Sequence, residues 1–531
     1  MPNDCIYMTN QFYALWGGDK DANYEMNGTL MNFIKGKVGL NEDKIIWSGL
    51  VDVQDLGTSE ELRKLLLSSV SNEHISFDST DRLRHSIGRG GLDYIRLMDR
   101  EEVKAVDAVV YPTEDEIINL VKMAGDKIEL VPFGGGTTVT GGVSPSGTRR
   151  FSVSIDTARL DSIILHSGNN VLEVGAGVKG PKLEEEINKL GMTLGNFPES
   201  FYYSTVGGWI ATNAAGQESN RYGKMRDMVI GLRMQSPTGT YQDRIVPGES
   251  AFFRLSDIAI GSEGALGIIT RAWLKVHKKP DRSFYKAYMF NSFSEGLESL
   301  RKKFTGGQVP TISRLSDEDE TELSLMGVED KFLNNLFKRY VNFRMNGKRG
   351  AMLIAISDRK EEIEFESGLS LGSLPSRFWE KERYSRPMMY NELLKRGIVA
   401  ETIETSATWD KLDTINQSTR KAFAEATESL NIKGMILCHS SHQYVTGSAL
   451  YFTFIFYSKD NKALALNRIR DVIMENILAN GGSISHHHGI GSLQSKYLRE
   501  YKGNLYGLTE NTKNYFDPKN SLVPGVLTQG K

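Results

Sequence analysis

The sequence predicts an α+β fold of two or three domains, in which helices are layered on sheets. Three observations predict it. The 531 residues exceed what one hydrophobic core normally holds. The 40% hydrophobic and 24% charged content, with 52 glycines, is typical of a soluble globular protein with many tight turns. Strand-like runs also alternate with helix-like runs along most of the chain.

Charge, cysteines and termini narrow the class of protein. The net charge of −2, without a long basic run, argues against a nucleic-acid partner. Cys5 and Cys438 lie far apart, which indicates a reducing compartment rather than a disulfide scaffold. No secretory signal, membrane-spanning stretch or C-terminal peroxisomal signal is recognised. We expect a cytoplasmic protein and leave peripheral membrane contact open.

Residues 1–95 are predicted to form an N-terminal helical extension, because helix-like stretches such as 59–67 alternate there with polar turns. Within it, residues 81–89 hold three arginines and His85 close together. The favoured interpretation of this stretch is a solvated charged segment. The alternative is that it lines the entrance of an active site.

Residues 96–278 are predicted to form the first folded domain. A short apolar strand at 107–112, a capped helix at 113–123 and a second strand at 128–132 make a βαβ start. A further helix is predicted at 181–190. A closing strand at 270–277 ends before Lys279-Pro280.

Residues 279–480 are predicted to form a second layer of helices packed on a sheet, of α+β or α/β type. The predicted strands lie at 284–290, 310–315, 351–356, 400–406, 434–438 and 449–456. The predicted helices lie at 293–304, 409–430 and 461–479. Residues 481–531 remain as a C-terminal segment.

A glycine-rich loop follows the second strand of the first domain, in the stretch Val-Pro-Phe-Gly-Gly-Gly-Thr-Thr-Val-Thr-Gly-Gly-Val at 131–143. Because the glycines carry no Cβ, the backbone N–H groups of residues 134–138 can point at one anion, and the hydroxyls of Thr137, Thr138 and Thr140 add donors. The loop is neither a G-x-G-x-x-G fingerprint nor a P-loop. It indicates a phosphate cradle, with an ordinary strand-turn-strand connection as the alternative.

Two further stretches of small residues, 198–216 and 261–270, favour a long ligand with a pyrophosphate in its middle. Together with the glycine-rich loop they resemble the PCMH-type FAD-binding domain of the vanillyl-alcohol oxidase family, over residues 103–277. The resemblance implies that 132–139 wrap the pyrophosphate, that 204–216 line the ribityl and isoalloxazine side, and that 261–269 close over the cofactor. Residues 134–137 include no histidine or cysteine, so we expect noncovalent FAD. The implied cofactor-binding residues are Pro132, Phe133, Gly134, Gly135, Gly136, Thr137, Thr138, Val139, Pro198, Glu199, Ser200, Ser204, Thr205, Gly207, Gly208, Thr212, Asn213, Gly216, Glu263, Gly264, Gly267, Ile268 and Ile269.

A run of three histidines stands in Ser-His-His-His-Gly-Ile-Gly at 485–491. Three adjacent residues cannot share one face of a strand or helix, so at most two imidazoles are expected to meet at one point. A histidine beside a flavin could move a substrate proton. The alternatives are a loop whose histidines only bind backbone and a metal site. We predict no metal, because no Asp, Glu or Cys ligand is clearly spaced with the run.

The stretches 312–317, 401–410, 451–454, 477–491 and 516–520 resemble the alkyldihydroxyacetonephosphate synthases, a branch of the same flavin family, between about 80 and about 520. These transferases of ether lipid biosynthesis exchange the acyl chain of acyl-dihydroxyacetone phosphate for a fatty alcohol. The resemblance implies that flavin N5 holds the substrate covalently, with no net redox change. It also implies that a cap domain covers the flavin and chooses the substrate.

The same resemblance implies that Tyr451 takes or returns a proton and that His486, His487 and His488 frame the pocket near the flavin. A phenol with a pKa near ~10 must be lowered by its surroundings to act as a base, and nearby imidazoles are expected to do so. Tyr451 as a packed strand residue is the alternative. Arg314 matches an arginine of the synthases, with a salt bridge to Asp317 as its alternative role.

Tyr390 stands where the synthases carry an arginine that holds an anionic group of the substrate. Tyrosine supplies neither a fixed charge nor a bidentate fork, so Arg383, Arg386 and Arg396 are candidates to compensate. The runner-up function is an FAD-dependent dehydrogenase of 2-hydroxy acids such as D-lactate. A flavin-binding electron-transfer subunit is the third. We expect a small-molecule or lipid substrate and a homodimer.

Overall fold

The computed structural model describes residues 11–17, 24–101, 103–166, 168–326, 339 and 343–528. Cys5 and the last three residues, 529–531, lie outside the described residues. Cys438 is a buried free thiol. Among the described helices, none is long and apolar enough to cross a membrane.

Helices and strands alternate along the described chain. The helices are Gly28–Val38, Glu60–Leu67, Ser79–Arg84, Gly91–Met98, Glu114–Met123, Gly180–Asn188, Val206–Ala211, Ser219–Tyr222, Met225–Met228, Leu255–Ala259, Phe293–Thr305, Glu318–Met326, Leu374–Glu382, Arg386–Lys395, Trp409–Ser429, Lys462–Ala479, Gly491–Lys502 and Leu505–Phe516. Two strand pairs stand outside the larger sheets: Gln11–Tyr13 with Leu50–Asp52, and Met192–Thr193 with His277–Lys278.

The first lobe contains two sheets. The four-stranded sheet has the order Ile75–Ser76, Ala108–Val110, Phe151–Asp156, Ile128–Phe133. The five-stranded sheet, antiparallel throughout, has the order Gly239–Gln242, Val229–Ser236, Ile268–Lys275, Val171–Gly175, Ile163–His166. One hydrophobic core joins both sheets.

The predicted βαβ start is confirmed in this lobe, with one difference. Helix Glu114–Met123 begins at a capping box formed by Thr113 and Glu116, as its first turn predicts. Strands Ala108–Val110 and Ile128–Phe133 run in the same direction, but Phe151–Asp156 lies between them and pairs with both in parallel.

The second layer is built on a seven-stranded sheet. Its order is Leu369–Gly372, Phe284–Phe290, Ala351–Ser357, Ile312–Ser316, Lys433–Ser441, Gly447–Tyr457, Ile398–Thr408. Every pair is antiparallel, which decides for the α+β alternative in this layer. The predicted strand at 400–406 extends to Ile398–Thr408 because it pairs along its whole length with Gly447–Tyr457.

The C-terminal segment returns to the first lobe beside the strand that leads into the glycine-rich loop. The N–H of Leu130 donates to the carbonyl of Ser521 at 2.8 Å, and the N–H of Val523 donates to the carbonyl of Leu130 at 3.0 Å. Close by, the buried ammonium of Lys513 donates to Asp517 at 2.6 Å. The end of the described chain therefore supports the strand below the loop.

Residues 81–89 are not a solvated segment, because two of their charged side chains are buried. The Arg82 guanidinium donates to the carbonyl of Val106 at 2.7 Å. His85 lies between Asp81 and Asp156, 3.0 Å from the Asp156 carboxylate. The favoured interpretation from sequence is therefore wrong. Arg89, at the end of the stretch, lines the cavity described next.

Candidate active site

A deep cavity lies between the first lobe and the seven-stranded sheet. Its walls are the glycine loop, which we define as residues 133–142, two segments around residues 198–212 and 263–269, the strand Gly447–Tyr457, and the histidine loop, which we define as residues 485–491. All the implied cofactor-binding residues line this cavity except Asn213 and Gly216.

The glycine loop presents unused backbone donors. None of the backbone N–H groups of residues 134–139 donates a hydrogen bond to an acceptor in the described part of the chain. The carbonyl of Thr138, in contrast, accepts from the N–H of Arg89 at 2.7 Å. Consecutive free N–H groups beside a cavity suit a phosphate or pyrophosphate. This arrangement matches the donors expected from the sequence.

Two of the glycines are required by close packing behind the loop. A Cβ on Gly134 would lie 2.3 Å from the Thr205 hydroxyl, and one on Gly135 would lie 2.1 Å from the carbonyl oxygen of Tyr203. Gly136 has a φ of +61°, a conformation that favours glycine. The glycines therefore allow the glycine loop and residues 203–205 to approach each other. The N–H groups of residues 134–139 stay beside the cavity without an acceptor among the described residues.

Asn213 and Gly216 have structural positions next to the cavity. The Asn213 side chain accepts from the N–H of Arg226 at 3.1 Å. A Cβ on Gly216 would lie 2.2 Å from the backbone nitrogen of Phe197. Direct contact of these two residues with a ligand in the cavity is not supported, because small residues in this stretch also serve chain packing.

Glu263 lines the cavity but its carboxylate holds the histidine loop. It accepts from the N–H of Ile490 at 2.7 Å and from the N–H of Gly491 at 3.0 Å. Burial raises the pKa of Glu263 to about 7, against the opposing effect of these two donors. The segment implied to close over the cofactor is thus also an anchor for the opposite wall.

Two of the three adjacent histidines face the cavity, as the sequence predicts. His487 and His488 line it, with ring centroids 4.4 Å apart. His486 does not line the cavity. Its Nε2 lies 2.6 Å from the Tyr444 hydroxyl, and its Nδ1 lies 3.0 Å from Nδ1 of His487. The implied role of His486 in framing the pocket is therefore indirect.

Glu404 fixes the histidine loop from the other side, and sequence reasoning missed it. This buried carboxylate accepts from the Ser485 hydroxyl at 2.7 Å and from three consecutive backbone N–H groups, those of residues 486–488, at 2.5 to 3.1 Å. Ligand atoms of Glu404, His486 and His487 lie within 4.8 Å of one another, a spacing that a metal ion could use. However, four donors already occupy the carboxylate, which makes it a loop anchor.

Tyr451 lies beside the two cavity-facing imidazoles, with ring centroids 6.0 Å from His487 and 5.4 Å from His488. Burial, and next the nearby Glu199, raise the pKa of Tyr451 well above its usual range. Burial, and next its neighbour His488, lower the pKa of His487 well below its usual range. The expectation that imidazoles lower the pKa of Tyr451 is wrong, because neutral rings supply no charge to stabilise a phenolate.

Arg314 and Tyr390, the implied substrate-binding residues, both line the cavity. Arg314 pairs with Glu320, whereas Asp317 pairs with Arg420, so the alternative of a salt bridge between Arg314 and Asp317 is wrong. Burial raises the pKa of Tyr390 to about 12, and its hydroxyl is therefore neutral near pH 7.

Two histidines of the cavity wall were not predicted. His439 lies in the strand Lys433–Ser441, and His442 directly follows that strand. Of the three arginines named as candidates to compensate for Tyr390, Arg383 and Arg386 line the cavity. The His-Ser-Ser-His spacing was a visible signal for the two histidines. Burial lowers the pKa of His439 to about 4 and that of His442 to about 3, so both are neutral.

Comparisons with known proteins agree with this geometry. A model described as FAD binding domain matches residues 106–243, and one described as FAD linked oxidases, C-terminal domain, matches 279–527. Alkyldihydroxyacetonephosphate synthase of Dictyostelium discoideum is 30% identical over 86% of this chain and 78% of its own length. The enzyme of that name from Trypanosoma brucei brucei is 31% identical over 88% and 80%. D-lactate dehydrogenase of Anaerostipes hadrus is 27% identical over 78% and 87%.

A solved structure of alkyldihydroxyacetonephosphate synthase is also similar, with a TM-score of 0.79 and 26% identity over 93% of this chain and 92% of that one. FAD is the cofactor of this chain, and the residues present fit it. The free N–H groups of 134–139 suit its pyrophosphate. Beside them, a Cβ on Gly208 would meet only the Thr205 hydroxyl, at 3.4 Å, which leaves room along the cavity wall.

Proposed function

The chain belongs to the FAD-dependent family of the alkyldihydroxyacetonephosphate synthases and FAD-linked oxidases, and on this premise we propose that it makes ether lipids. The reaction would exchange the acyl chain of an acyl-dihydroxyacetone phosphate for a fatty alcohol and release a fatty acid. One observation carries the proposal: Tyr451, His487 and His488 face the same cavity as the free N–H groups of the glycine loop.

Bound FAD would supply the electron-accepting centre that this chemistry needs. The protein side chains would move the proton. Burial lowers the pKa of His487 and of His488, so both imidazoles are neutral, and each has a ring nitrogen that can accept a proton from the substrate carbon. Tyr451, whose raised pKa keeps it protonated, is suited to return one. His486 would position His487 through their 3.0 Å contact.

The division into domains is also part of the proposal. Residues 96–278 would bind FAD, residues 279–480 would form the cap that chooses the substrate, residues 1–95 would be an extension, and residues 481–531 would return to the flavin site. Support comes from two separate hydrophobic cores, of which the first draws mainly on residues before 277 and the second mainly on residues after 287. Contacts of Ile490 and Ser521 with the first lobe support the return.

We further propose that the protein contacts a membrane surface and is a homodimer. Leu505 and Leu508 expose more than half of their surface, and the exposed Arg499 and Lys502 lie just before them. Apolar side chains flanked by cations suit a bilayer with anionic headgroups. Sedimentation with anionic vesicles, and light scattering for the oligomeric state, would measure the two properties.

The test of the main proposal is an anaerobic titration of the FAD-bound protein, followed by its visible spectrum. Acyl-dihydroxyacetone phosphate is expected to bleach the flavin and to release free fatty acid, whereas D-2-hydroxy acids are expected to leave the spectrum unchanged. Full bleaching by D-lactate without reaction of the acyl phosphate would replace the proposal with a 2-hydroxy acid dehydrogenase. Reduction only through a co-purified redox partner would favour an electron-transfer subunit.

A further inference from the structure

The resemblance to the synthases implies an arginine for a substrate anion where this chain has Tyr390, and three nearby arginines are candidates to replace it. The structure separates them. Arg396 does not line the cavity. Its Nε donates to Asp43 at 2.7 Å and one terminal nitrogen donates to Glu392 at 2.9 Å, so two carboxylates already occupy it.

Arg383 lines the cavity, but its guanidinium is engaged elsewhere. It lies over the rings of Phe197 and Tyr384, with centroids at 5.1 and 4.9 Å, and 3.4 Å from the carboxylate of Glu218. Stacking between two aromatic rings holds the planar guanidinium in place. Arg383 is therefore part of the cavity wall rather than a free cation.

Arg386 is placed to do what Tyr390 cannot. It begins the helix Arg386–Lys395 and lies four residues before Tyr390, so both side chains are on one helix face, and both line the cavity. Its guanidinium donates to Glu320 at 3.1 Å and its side chain remains 26% exposed. Only one of its five N–H groups is used in that bond.

Arg314 binds the same carboxylate oxygen of Glu320 as Arg386 does. Two guanidinium groups therefore share one carboxylate, and His439, on its other oxygen at 3.1 Å, is neutral. Glu199 also lines the cavity, and it makes no ion pair with either arginine. In addition, the buried Nε of Arg314 has no hydrogen-bond acceptor among the described residues.

We propose that Arg386 and Arg314 together form a phosphate-binding site, in which Arg386 replaces the family's missing arginine. The inference rests on the proposed function, because it identifies the anion as the phosphomonoester of the substrate. Two guanidinium groups offer several N–H donors to the oxygens of a phosphate dianion, and both are bound to the same carboxylate, that of Glu320. Tyr390 would add a neutral hydroxyl.

The test measures binding of glycerol 3-phosphate, D-lactate and glycerol to the FAD-bound protein by flavin difference spectra. Arg386→Gln is expected to weaken binding of glycerol 3-phosphate by about 10- to 100-fold, because a charge-assisted hydrogen bond is lost. Arg386→Lys is expected to lie between Gln and the wild type, because it keeps the charge without the fork. Glycerol should bind equally to all.

Arg396→Gln is the matched control, since it removes an arginine at the other end of the same helix and outside the cavity. Unchanged glycerol 3-phosphate binding in Arg386→Gln would overturn the inference, as would a loss confined to D-lactate. If Arg386→Gln weakens phosphate binding but the wild type releases no fatty acid from the acyl phosphate, the phosphate site stands and the proposed reaction fails.

Discussion

The glycine loop and the histidine loop face one cavity, but they use their backbones in opposite ways. Residues 134–139 of the glycine loop line the cavity, and their N–H groups have no acceptor in the described part of the chain. In the histidine loop, Glu404 takes the N–H groups of residues 486–488, and Glu263 takes those of residues 490 and 491. One loop offers backbone to a ligand, and the other uses backbone for anchorage and offers side chains.

This difference shows which residues each loop depends on for its conformation. The glycine loop depends on its own lack of side chains, since a Cβ at 134 or 135 would collide with residues 203–205. The histidine loop depends on two carboxylates that are 82 and 227 residues distant in sequence from the N–H groups they bind. A change in the first loop should affect cofactor binding, whereas a change in the second should affect turnover.

The largest effect is expected from Gly135→Ala. The new Cβ would lie 2.1 Å from the carbonyl oxygen of Tyr203. Because this oxygen belongs to the backbone, the clash can be relieved only if one of the two loops moves. The variant should purify without FAD, measured by the visible spectrum. Gly142→Ala is the control in the same loop, because its Cβ would meet only side-chain atoms at 3.4 and 3.5 Å and should leave the protein yellow. A fully flavinated Gly135→Ala would contradict the packing argument.

Tyr451→Phe and His487→Ala should each retain FAD while turnover falls by roughly 100- to 10,000-fold, the range for removal of a proton-transfer group. His486→Ala should lower turnover by a factor at least roughly ten times smaller than His487→Ala does, because His486 does not line the cavity. Steady-state rates with flavin content measured in parallel would compare the three. Equal losses at 486 and 487 would remove the distinction between a cavity-facing and a positioning histidine.

Glu404→Gln tests the anchorage of the histidine loop. An amide can accept from the backbone with one oxygen only, so at least one buried N–H loses its partner. We expect turnover to fall by about 10- to 100-fold and the free energy of unfolding by about 2 kcal/mol, with FAD retained. Denaturant unfolding and rate measurements would check this. The exposed Glu425→Gln serves as control, and a fully active Glu404→Gln would mean that the loop holds its own shape.

The last prediction concerns the pH dependence of stability rather than turnover or flavin content. It rests on His85, on the glycine-loop side, whose ring centroid lies 4.3 Å from that of Phe133. Burial alone would lower the pKa of His85, but hydrogen bonds with Asp156 and Asp81 outweigh it and raise the pKa from 6.5 to about 9. Protonated His85 therefore stabilises the folded state fully below pH 6.5, and this contribution is lost as the pH rises through about 9.

The comparison is with a His85→Gln variant. Between pH 6.5 and about 9, the free energy of unfolding of the wild-type protein should fall relative to that of the variant by about 1 kcal/mol per pH unit. Denaturant unfolding of both proteins at several pH values would measure the difference. A difference that stays constant with pH would show that His85 is neutral when folded.

Much of the secondary structure could be predicted from local pattern alone. Strand Phe284–Phe290 has the predicted ends, and Trp409–Ser429 and Lys462–Ala479 differ from prediction by one residue each, because the hydrophobic period and the flanking turns are local properties. Strand ends such as those of Ile398–Thr408 depended on pairing with a partner strand, which no local pattern contains.

The sequence by itself was enough to locate the cofactor-binding loop. Glycines act there through the absence of a side chain, and this property can be read directly from the sequence. It also determined that two of three adjacent histidines could meet. Tertiary structure decided which two, by placing Glu404 and Glu263 against the backbone of their loop. It likewise selected Arg386 over Arg383 and Arg396, since the charge available at a site depends on which carboxylates and rings already occupy each guanidinium.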